Sequence, residues 1–476
     1  MEALLSKIVG AVNLVLWDYL LIYALLGIGL FFTVYLGAPQ ITKLCAGFGS
    51  VFGGLFRKKT EGSGGGESLS QFQALAVAVS AQIGTGNVAG VATAITAGGP
   101  GAIFWMWVSA VFGMATIFAE ALLAQKYRVV SHGRYIGGPA FYITHGLTPK
   151  IGRVPARFLS GFFSIALIIA LGFIGNATQS NSIASAVHSA FDVPPLAVGI
   201  VLAVLTGLIV VGGVGRIAAI AQFVVPFMAA VYILCAVVIL FQFSDHIVPM
   251  AESIFVAAFN PEAVLGGAAG IGMREAVRFG VARGLFSNEA GMGSTPHAHA
   301  TADVKHPVQQ GMAAFVGVFI DTLLVCTATA LIILLTDANL SGAQGAAVTQ
   351  VAFAKAFPGF GSQLLAVCLA FFAFTTIIGW YYFGESNIRF LFRGRHLGIY
   401  RTLVLLAVVL GTLGKVDLVW SLSDMFNGFM VVPNLIALFV LRKEIRGIYE
   451  DYLTQKKSGG ELSYRYEFHE FHEKQQ

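Results

Sequence analysis

Residues 80–90 read SAQIGTGNVAG, and residues 287–297 read SNEAGMGSTPH. Each is an apolar helix broken by glycines, and the two stand 207 residues apart. Ser80, Gly84, Gly86 and Pro100 match Ser287, Gly291, Gly293 and Pro307 at that one offset. Paired helix breaks in corresponding halves of an apolar chain mark a transporter, with its substrate site at the breaks. Four identities carry little weight alone in a chain rich in Gly and Ala. The case rests on whether the rest of the sequence keeps the offset.

Composition sets the environment. The chain has 476 residues, 57% hydrophobic and 11% charged, whereas a soluble globular chain carries about 25% charged residues. A soluble core cannot bury this much apolar surface, and 56 glycines suit closely packed membrane helices. Cys45, Cys235, Cys326 and Cys368 are scattered in or beside apolar segments with no metal or redox spacing, which leaves them as small buried residues. The net charge of +5 is no nucleic-acid footprint, so the expected surroundings are membrane lipid and a small-molecule substrate.

A span of the hydrocarbon needs about 20 apolar residues. Eleven such helices are predicted: 15–36, 71–97, 101–126, 158–180, 195–214, 216–243, 268–303, 309–335, 360–386, 398–414 and 417–441. A basic run follows the first apolar core instead of preceding it, which argues against a signal peptide. With the first helix set aside, helices two to six shifted by 207 land on seven to eleven, drifting by less than about ten residues. Five is odd, so the second set must enter the membrane from the opposite side. The fold class predicted is an all-α membrane protein with one extra helix and two inverted five-helix repeats, each with a broken helix.

The domain organisation follows. Residues 1–70 hold the extra helix and a flexible linker (TEGSGGGES, 60–68), and 71–243 form the first repeat. Residues 244–267 connect on the outer surface, 268–445 form the second repeat, and 446–476 are a tail expected to be mobile from about 455. The stretch ESIFVAAFNPEAVL (252–265) is read as amphipathic and surface-lying. The offset starts the seventh helix near Ala268 and puts its break at Gly291–Gly293, not at the Gly266–Gly272 cluster. With the N-terminus outside, 23 of the 29 Lys and Arg residues face inward. That asymmetry predicts a cytoplasmic C-terminus in a bacterial-type plasma membrane.

A helix break frees backbone N–H and C=O groups that are costly in hydrocarbon unless paired. Freed N–H groups favour a carboxylate and freed C=O groups a cation. Two adjacent breaks therefore suit a zwitterion and a sodium ion, and Gly84, Gly86, Gly291 and Gly293 allow close approach. The plainer explanation is glycines for helix packing alone. Polar residues accompany the breaks: Asn87, Asn288, Glu289, Ser294, Asn176, Gln179, Thr375 and Thr376, with Trp380 one turn later. The hydroxyls of Thr375 and Thr376 with the carbonyls of Ser80 and Ile83 form a candidate all-oxygen sodium cage. Back-bonding of either threonine to its own helix is the competing explanation. Glu289 is an intramembrane carboxylate. It is expected to pair with Arg283 as a structural ion pair; the alternative is a proton carrier. Glu120 and Asp321 also lie inside predicted helices and receive no role. His297 and His299 stand at i, i+2 and share no helical face.

The stretches GGPGAIFWMWVSAVFG (98–113), QIGTGNVAGVATAI (82–95) and RGLFSNEAGMGSTPHAHA (283–300) resemble the signature of the sodium:alanine/glycine symporter family. The resemblance runs from about residue 15 to 445. It implies a leucine-transporter-type fold and sodium-driven import of alanine or glycine. It implies Thr85, Gly86 and Asn87 at the substrate, with Gln179, Thr376 and Trp380 lining the pocket. Gly291, Met292 and Gly293 of the second break complete the expected substrate set. Ser80, Ile83, Thr375 and Thr376 are the expected sodium ligands. No cofactor is expected beyond the coupling ion. The alternative is a proton-coupled amino-acid transporter that uses Glu289. No repeated polar rings suggest a channel, no nucleophile–base pair suggests an enzyme, and no signalling domain suggests a sensor.

Overall fold

Side-chain caps and prolines start the key helices. Ser70 and Gln73 form a reciprocal capping box: the Ser70 hydroxyl accepts the Gln73 amide at 3.2 Å, and Gln73 Oε1 accepts the Ser70 amide at 3.0 Å. His306 and Gln309 do the same before Pro307, with Val308 N–H donating to His306 Nδ1 at 3.2 Å. Pro139, Pro195 and Pro307 each occupy a first helical turn, where their missing N–H costs nothing.

The computed structural model describes residues 2–53, 68–131, 133–260, 272–414, 416–466 and 469–471. It is almost wholly helical. Among the described residues, seven helices are long and apolar enough to cross a membrane: Leu4–Tyr35, Ala102–Lys126, Arg153–Phe191, Gly213–Gln242, Pro307–Leu335, Gly361–Phe392 and Val419–Val440. The pair Gln71–Gln82 and Gly86–Gly98, bent by 51°, makes an eighth if it is one span, and Pro195–Val210 and Leu397–Gly411 are shorter apolar helices. Large side chains such as Phe241 (78% exposed), Phe223 (73%) and Val34 (74%) stand on the outer faces. That much exposed aromatic and aliphatic surface needs a lipid partner.

The two broken segments lie at the centre. Residues 74–92 and 284–302 are buried without exception. A Cβ on Gly86 would sit 3.2 Å from the Ser287 Cα, so the breaks meet backbone to backbone. The second segment runs as a helix over Met273–Asn288, unwinds, and resumes at Pro296–His299. Its expected start near Ala268, the glycines Gly266, Gly267 and Gly270 of the preceding cluster, and residues 60–67 of the linker lie outside the described residues.

Helix limits differ from the hydropathy reading where polar residues continue a helix. The predicted 158–180 extends to Phe191, because Asn176, Gln179, Asn181 and Ser182 turn inward and are buried. The first apolar span begins at Leu4 instead of residue 15. The connection at 244–267 contains a helix, Ile247–Phe259, docked by the Trp105 Nε1–H bond to the Ala258 carbonyl at 3.0 Å. Two connecting helices went unforeseen, Pro139–Ile151 and Ala346–Ala356. Shifting the first by 207 gives 346–358, on top of the second.

The C-terminal region also differs. The tail begins as a helix, Arg442–Ser458, which continues past residue 455, where mobility is expected to start. Strand β1 (Val129–Ser131) pairs antiparallel with β2 (Arg134–Ile136) and parallel with β3 (His469–Glu470). Lys126 and Lys150 reach Glu444 at 2.6 and 3.4 Å, and the Arg128 guanidinium lies over the Tyr135 and Tyr466 rings at 3.8 and 4.3 Å. A polar sequence is ordered here because its charges and rings meet partners from distant loops.

Candidate functional site

The first break begins where Ile83 leaves the helix with an extended backbone (φ −79°, ψ 94°). The amides that would have closed the next turns are taken elsewhere: Gly84 N–H bonds Asn87 Oδ1 at 2.9 Å, and Asn87 N–H bonds the Gly84 carbonyl at 3.3 Å. The Ser80 and Ile83 carbonyls therefore face Thr376, whose Oγ1 lies 3.1 Å from each and 3.1 Å from the Phe372 carbonyl. One hydroxyl has one proton to give. Three carbonyl oxygens compete for it, an acceptor-rich cluster of the kind a hard cation binds.

Thr375 is not part of this cluster. Its Oγ1 back-bonds to the Phe372 carbonyl at 2.9 Å and faces Met228 Sδ at 3.8 Å. Successive residues on an α-helix point about 100° apart, so adjacent threonines cannot both face the break. Of the four groups expected in the cage, Ser80, Ile83 and Thr376 come together and Thr375 faces elsewhere.

Gln179 comes to the same place from the Arg153–Phe191 helix. Its Oε1 accepts the Thr85 amide at 3.1 Å. A Cβ on Gly84 would lie 2.5 Å from Thr376 Oγ1 and 3.1 Å from Gln179 Oε1. Gly84, Thr85, Gln179 and Thr376 thus converge, and the buried Thr85 hydroxyl has no hydrogen-bond partner among the described residues. Trp380, one turn beyond Thr376, packs its ring where a Cβ on Gly175 would meet it at 2.6 Å.

Glu289 does not pair with Arg283. Arg283 forms a two-pronged ion pair with Asp424, Nη2 to Oδ2 at 2.7 Å and Nη1 to Oδ1 at 3.3 Å. Six residues separate Arg283 from Glu289, which rotates them to different faces of the helix, and Glu289 itself ends the helix in the left-handed conformation (φ 57°). The Glu289 carboxylate instead accepts the Ser294 hydroxyl and the Trp380 indole N–H. It joins the second break to the Gly361–Phe392 helix.

The second break differs chemically from the first. The Gly291 and Gly293 amides donate to Glu120 Oε2 and Oε1 at 3.1 and 2.9 Å. The nearest side chains around these glycines are Leu25, Thr116 and Leu435 at Gly291, and Phe163 and Pro139 at Gly293. The Met292 amide closes a turn on the Glu289 carbonyl at 3.1 Å. The described bonds and closest contacts of Gly291 and Gly293 include none of Gly84, Thr85, Gln179 and Thr376. The break reaches that neighbourhood through Ser287, beside Gly86, and through Glu289, on Trp380.

Asp321, an acid to which the sequence assigns no role, is held by three side chains. Asn87 Nδ2 donates to its Oδ1 at 2.6 Å, and the Ser287 and Thr322 hydroxyls donate to its Oδ2 at 3.1 and 2.7 Å. It ties the first break to the second. The signal was present in both cases, since an acid inside an apolar helix is a functional candidate by default. The missing information was the partner.

A cavity of about 850 Å³ opens beside the breaks, lined in part by Thr93, Asn181, Ser182, Trp420 and the Arg283–Asp424 pair.

Apolar spans, a buried meeting of two broken helices and an open vestibule beside them define a multi-pass membrane transporter. The family model of the sodium:alanine symporter family matches residues 1–466, and the chain belongs to that family. It is 41% identical over 441 residues to the sodium/alanine symporter AgcS of Methanococcus maripaludis, covering 91% of this chain and 94% of the relative. It is 40% identical over 463 residues to the "Probable sodium/glutamine symporter GlnT" of Bacillus subtilis, covering 96% and 93%. The crystal structure of MhsT in complex with L-phenylalanine superposes with a TM-score of 0.58 over 79% of this chain and 90% of that one. At 13% identity that likeness is one of fold.

Proposed function

We propose that this chain is a sodium-coupled symporter of small neutral amino acids, alanine and glycine, working by alternating access. The observation that carries the reading is the acceptor-rich cluster of the Ser80 and Ile83 carbonyls with the Thr376 hydroxyl, next to the unpartnered Thr85 hydroxyl. Sodium occupies the oxygen cluster. The substrate carboxylate lies at Thr85, Gly86 and Asn87, and Gln179, Thr376 and Trp380 shape the rest of the pocket. Asp321, bonded to Asn87 and Ser287, supplies a negative charge that the neutral cage lacks. Gly84 against Thr376 and Gly175 against Trp380 keep the pocket small. Alanine and glycine differ by one methyl, worth about 0.8 kcal/mol, so both are accepted. Membership of the sodium:alanine symporter family and the name of the archaeal relative support this reading. The name of the Bacillus relative marks substrate size as the property that varies.

The same reading takes the chain as eleven spans, an extra helix and two inverted repeats (71–243 and 268–445). It places the N-terminus outside a bacterial plasma membrane and the C-terminus in the cytoplasm. The near coincidence of Pro139–Ile151 and Ala346–Ala356 at the 207-residue offset supports the repeat.

A second reading makes Glu289 a proton carrier. It is favoured by the absence of a basic partner for Glu289 among the described residues. Reconstituted vesicles decide between them. Sodium-driven coupling requires that an inward sodium gradient concentrate alanine and that a proton gradient alone do nothing. Uptake on a proton gradient without sodium, lost in Glu289→Gln, would establish the second reading and remove the first.

A further inference from the structure

We infer that Glu120 is the resident carboxyl ligand of the second helix break, a positioning residue that takes the amides a substrate carboxylate would otherwise bind and leaves carboxylate recognition to the first break. The inference rests on the transport reading only for its consequence; the contacts stand by themselves.

Gly291 and Gly293 both have left-handed backbones, with φ of 84° and 80°. Alternate residues in that conformation turn successive N–H groups into one concavity, which binds anions. No side chain fits either position: a Cβ at Gly291 would strike Leu25 at 2.5 Å, and one at Gly293 would strike Phe163 at 2.8 Å and Pro139 at 2.9 Å. The concavity is filled by a protein side chain. Glu120 Oε2 accepts Gly291 N–H, while Oε1 accepts Gly293 N–H and Asn434 Nδ2, the last at 2.6 Å. The two carboxyl oxygens of Glu120 thus serve as acceptors for three N–H donors. Asn434 also donates to the Gly291 carbonyl at 2.9 Å and accepts the Tyr142 hydroxyl. Three helices therefore hold one break: Ala102–Lys126 through Glu120, Pro139–Ile151 through Tyr142, and Val416–Val440 through Asn434.

The relation is reciprocal. The helix after the first break carries Glu120, which grips the second break. The helix after the second break carries Asp321, which grips the first through Asn87 and also holds Ser287 of the second. The two acids differ in their donors. Asp321 is met by side-chain amide and hydroxyl groups that can turn away, whereas two of the three donors to Glu120 are backbone amides that cannot.

The test uses the full-length protein and amide hydrogen exchange resolved at residues 288–300, with alanine uptake measured in parallel. In Glu120→Gln the side-chain oxygen keeps Gly293 and Asn434, and the NH₂ faces the Gly291 amide donor to donor. Exchange at Gly291 should rise at least tenfold while Gly293 stays within twofold of the parent, and the KM for alanine should rise several-fold. A packing role would raise both amides together or neither, and either result overturns the inference. If Glu120→Gln does not fold, Tyr142→Phe decides, because it removes one hydroxyl and keeps the ring. Faster exchange confined to residues 291–293 supports the network, and unchanged exchange refutes it. Variant and parent are compared in one buffer, so the exchange result stands whichever ion is coupled, and failure of the sodium reading leaves it in place.

Discussion

The hydroxyl of Thr376 lies 3.1 Å from the carbonyl oxygen of Ile83, 293 residues earlier in the chain. The neighbouring Thr375 points to Met228 instead. The two threonines therefore predict opposite outcomes. Thr376→Val keeps the shape and removes one cage oxygen, and the sodium concentration for half-maximal alanine uptake should rise at least about tenfold, ~1.4 kcal/mol. Thr375→Val should change it less than about twofold. Equal effects of both substitutions would refute the assignment of the cage to one face of the helix.

Gly84 and Gly90 separate close approach from helix packing. A Cβ at Gly84 would lie 2.5 Å from Thr376 Oγ1, and one at Gly90 meets nothing within 4 Å. Gly84→Ala should abolish most uptake, since overpacking a filled site costs about 1–3 kcal/mol and displaces the cage oxygens. Gly90→Ala should leave uptake intact and slightly raise the melting temperature, because alanine favours a helix by about 0.5–1 kcal/mol over glycine. Uptake assays and thermal unfolding on both variants check this.

Arg283 and Asp424 form the ion pair that the sequence suggested for Arg283 and Glu289. Both side chains are 16% exposed at the wall of the vestibule. A double-mutant cycle on thermal stability should give a coupling of about 1–3 kcal/mol between Arg283→Gln and Asp424→Asn. The cycle between Arg283→Gln and Glu289→Gln should give less than ~0.5 kcal/mol. A large coupling in the second cycle would restore the pair that the geometry denies.

His306 makes the docking of the C-terminal helix pH-dependent. Burial holds its imidazole below the ordinary value of 6.5, against the pull of Asp451, whose Oδ2 lies 3.1 Å from Nε2. Tyr452 and Tyr464 pack on the ring at 5.4 and 5.3 Å, and the adjacent Lys305 is engaged by Glu461 at 3.3 Å. Nδ1 is the acceptor that caps the Pro307–Leu335 helix, and a protonated imidazole has no acceptor. The undocked state therefore binds the proton more tightly. The His306 contribution is complete above about pH 6.5 and declines as pH falls from there toward the lower docked value. Limited proteolysis within 442–466 should accelerate between pH 7.5 and 5.5, on the order of several-fold. His306→Gln should remove that acceleration, and its persistence would assign the effect to another group.

The sequence by itself determined the membrane class, most helix limits and the position of both breaks. Those properties are local: apolar runs of span length, Gly at 84, 86, 291 and 293, and Pro or capping residues at helix starts. The offset between the two broken motifs was also visible, because it needs only counting. The tertiary structure decided the partners. Glu120 meets Gly291 across 171 residues and Arg283 meets Asp424 across 141, and no periodicity reports such pairings. It decided which of two adjacent threonines faces the cage, which depends on the rotational setting of one helix against another. It also decided the chemical difference between two breaks that look alike as sequence. In the first, two freed carbonyls face one hydroxyl. In the second, a carboxylate from another helix already fills the amides. Hydrophobic patterning selects which face of a helix is buried. Which buried polar group meets which is settled only when the helices pack.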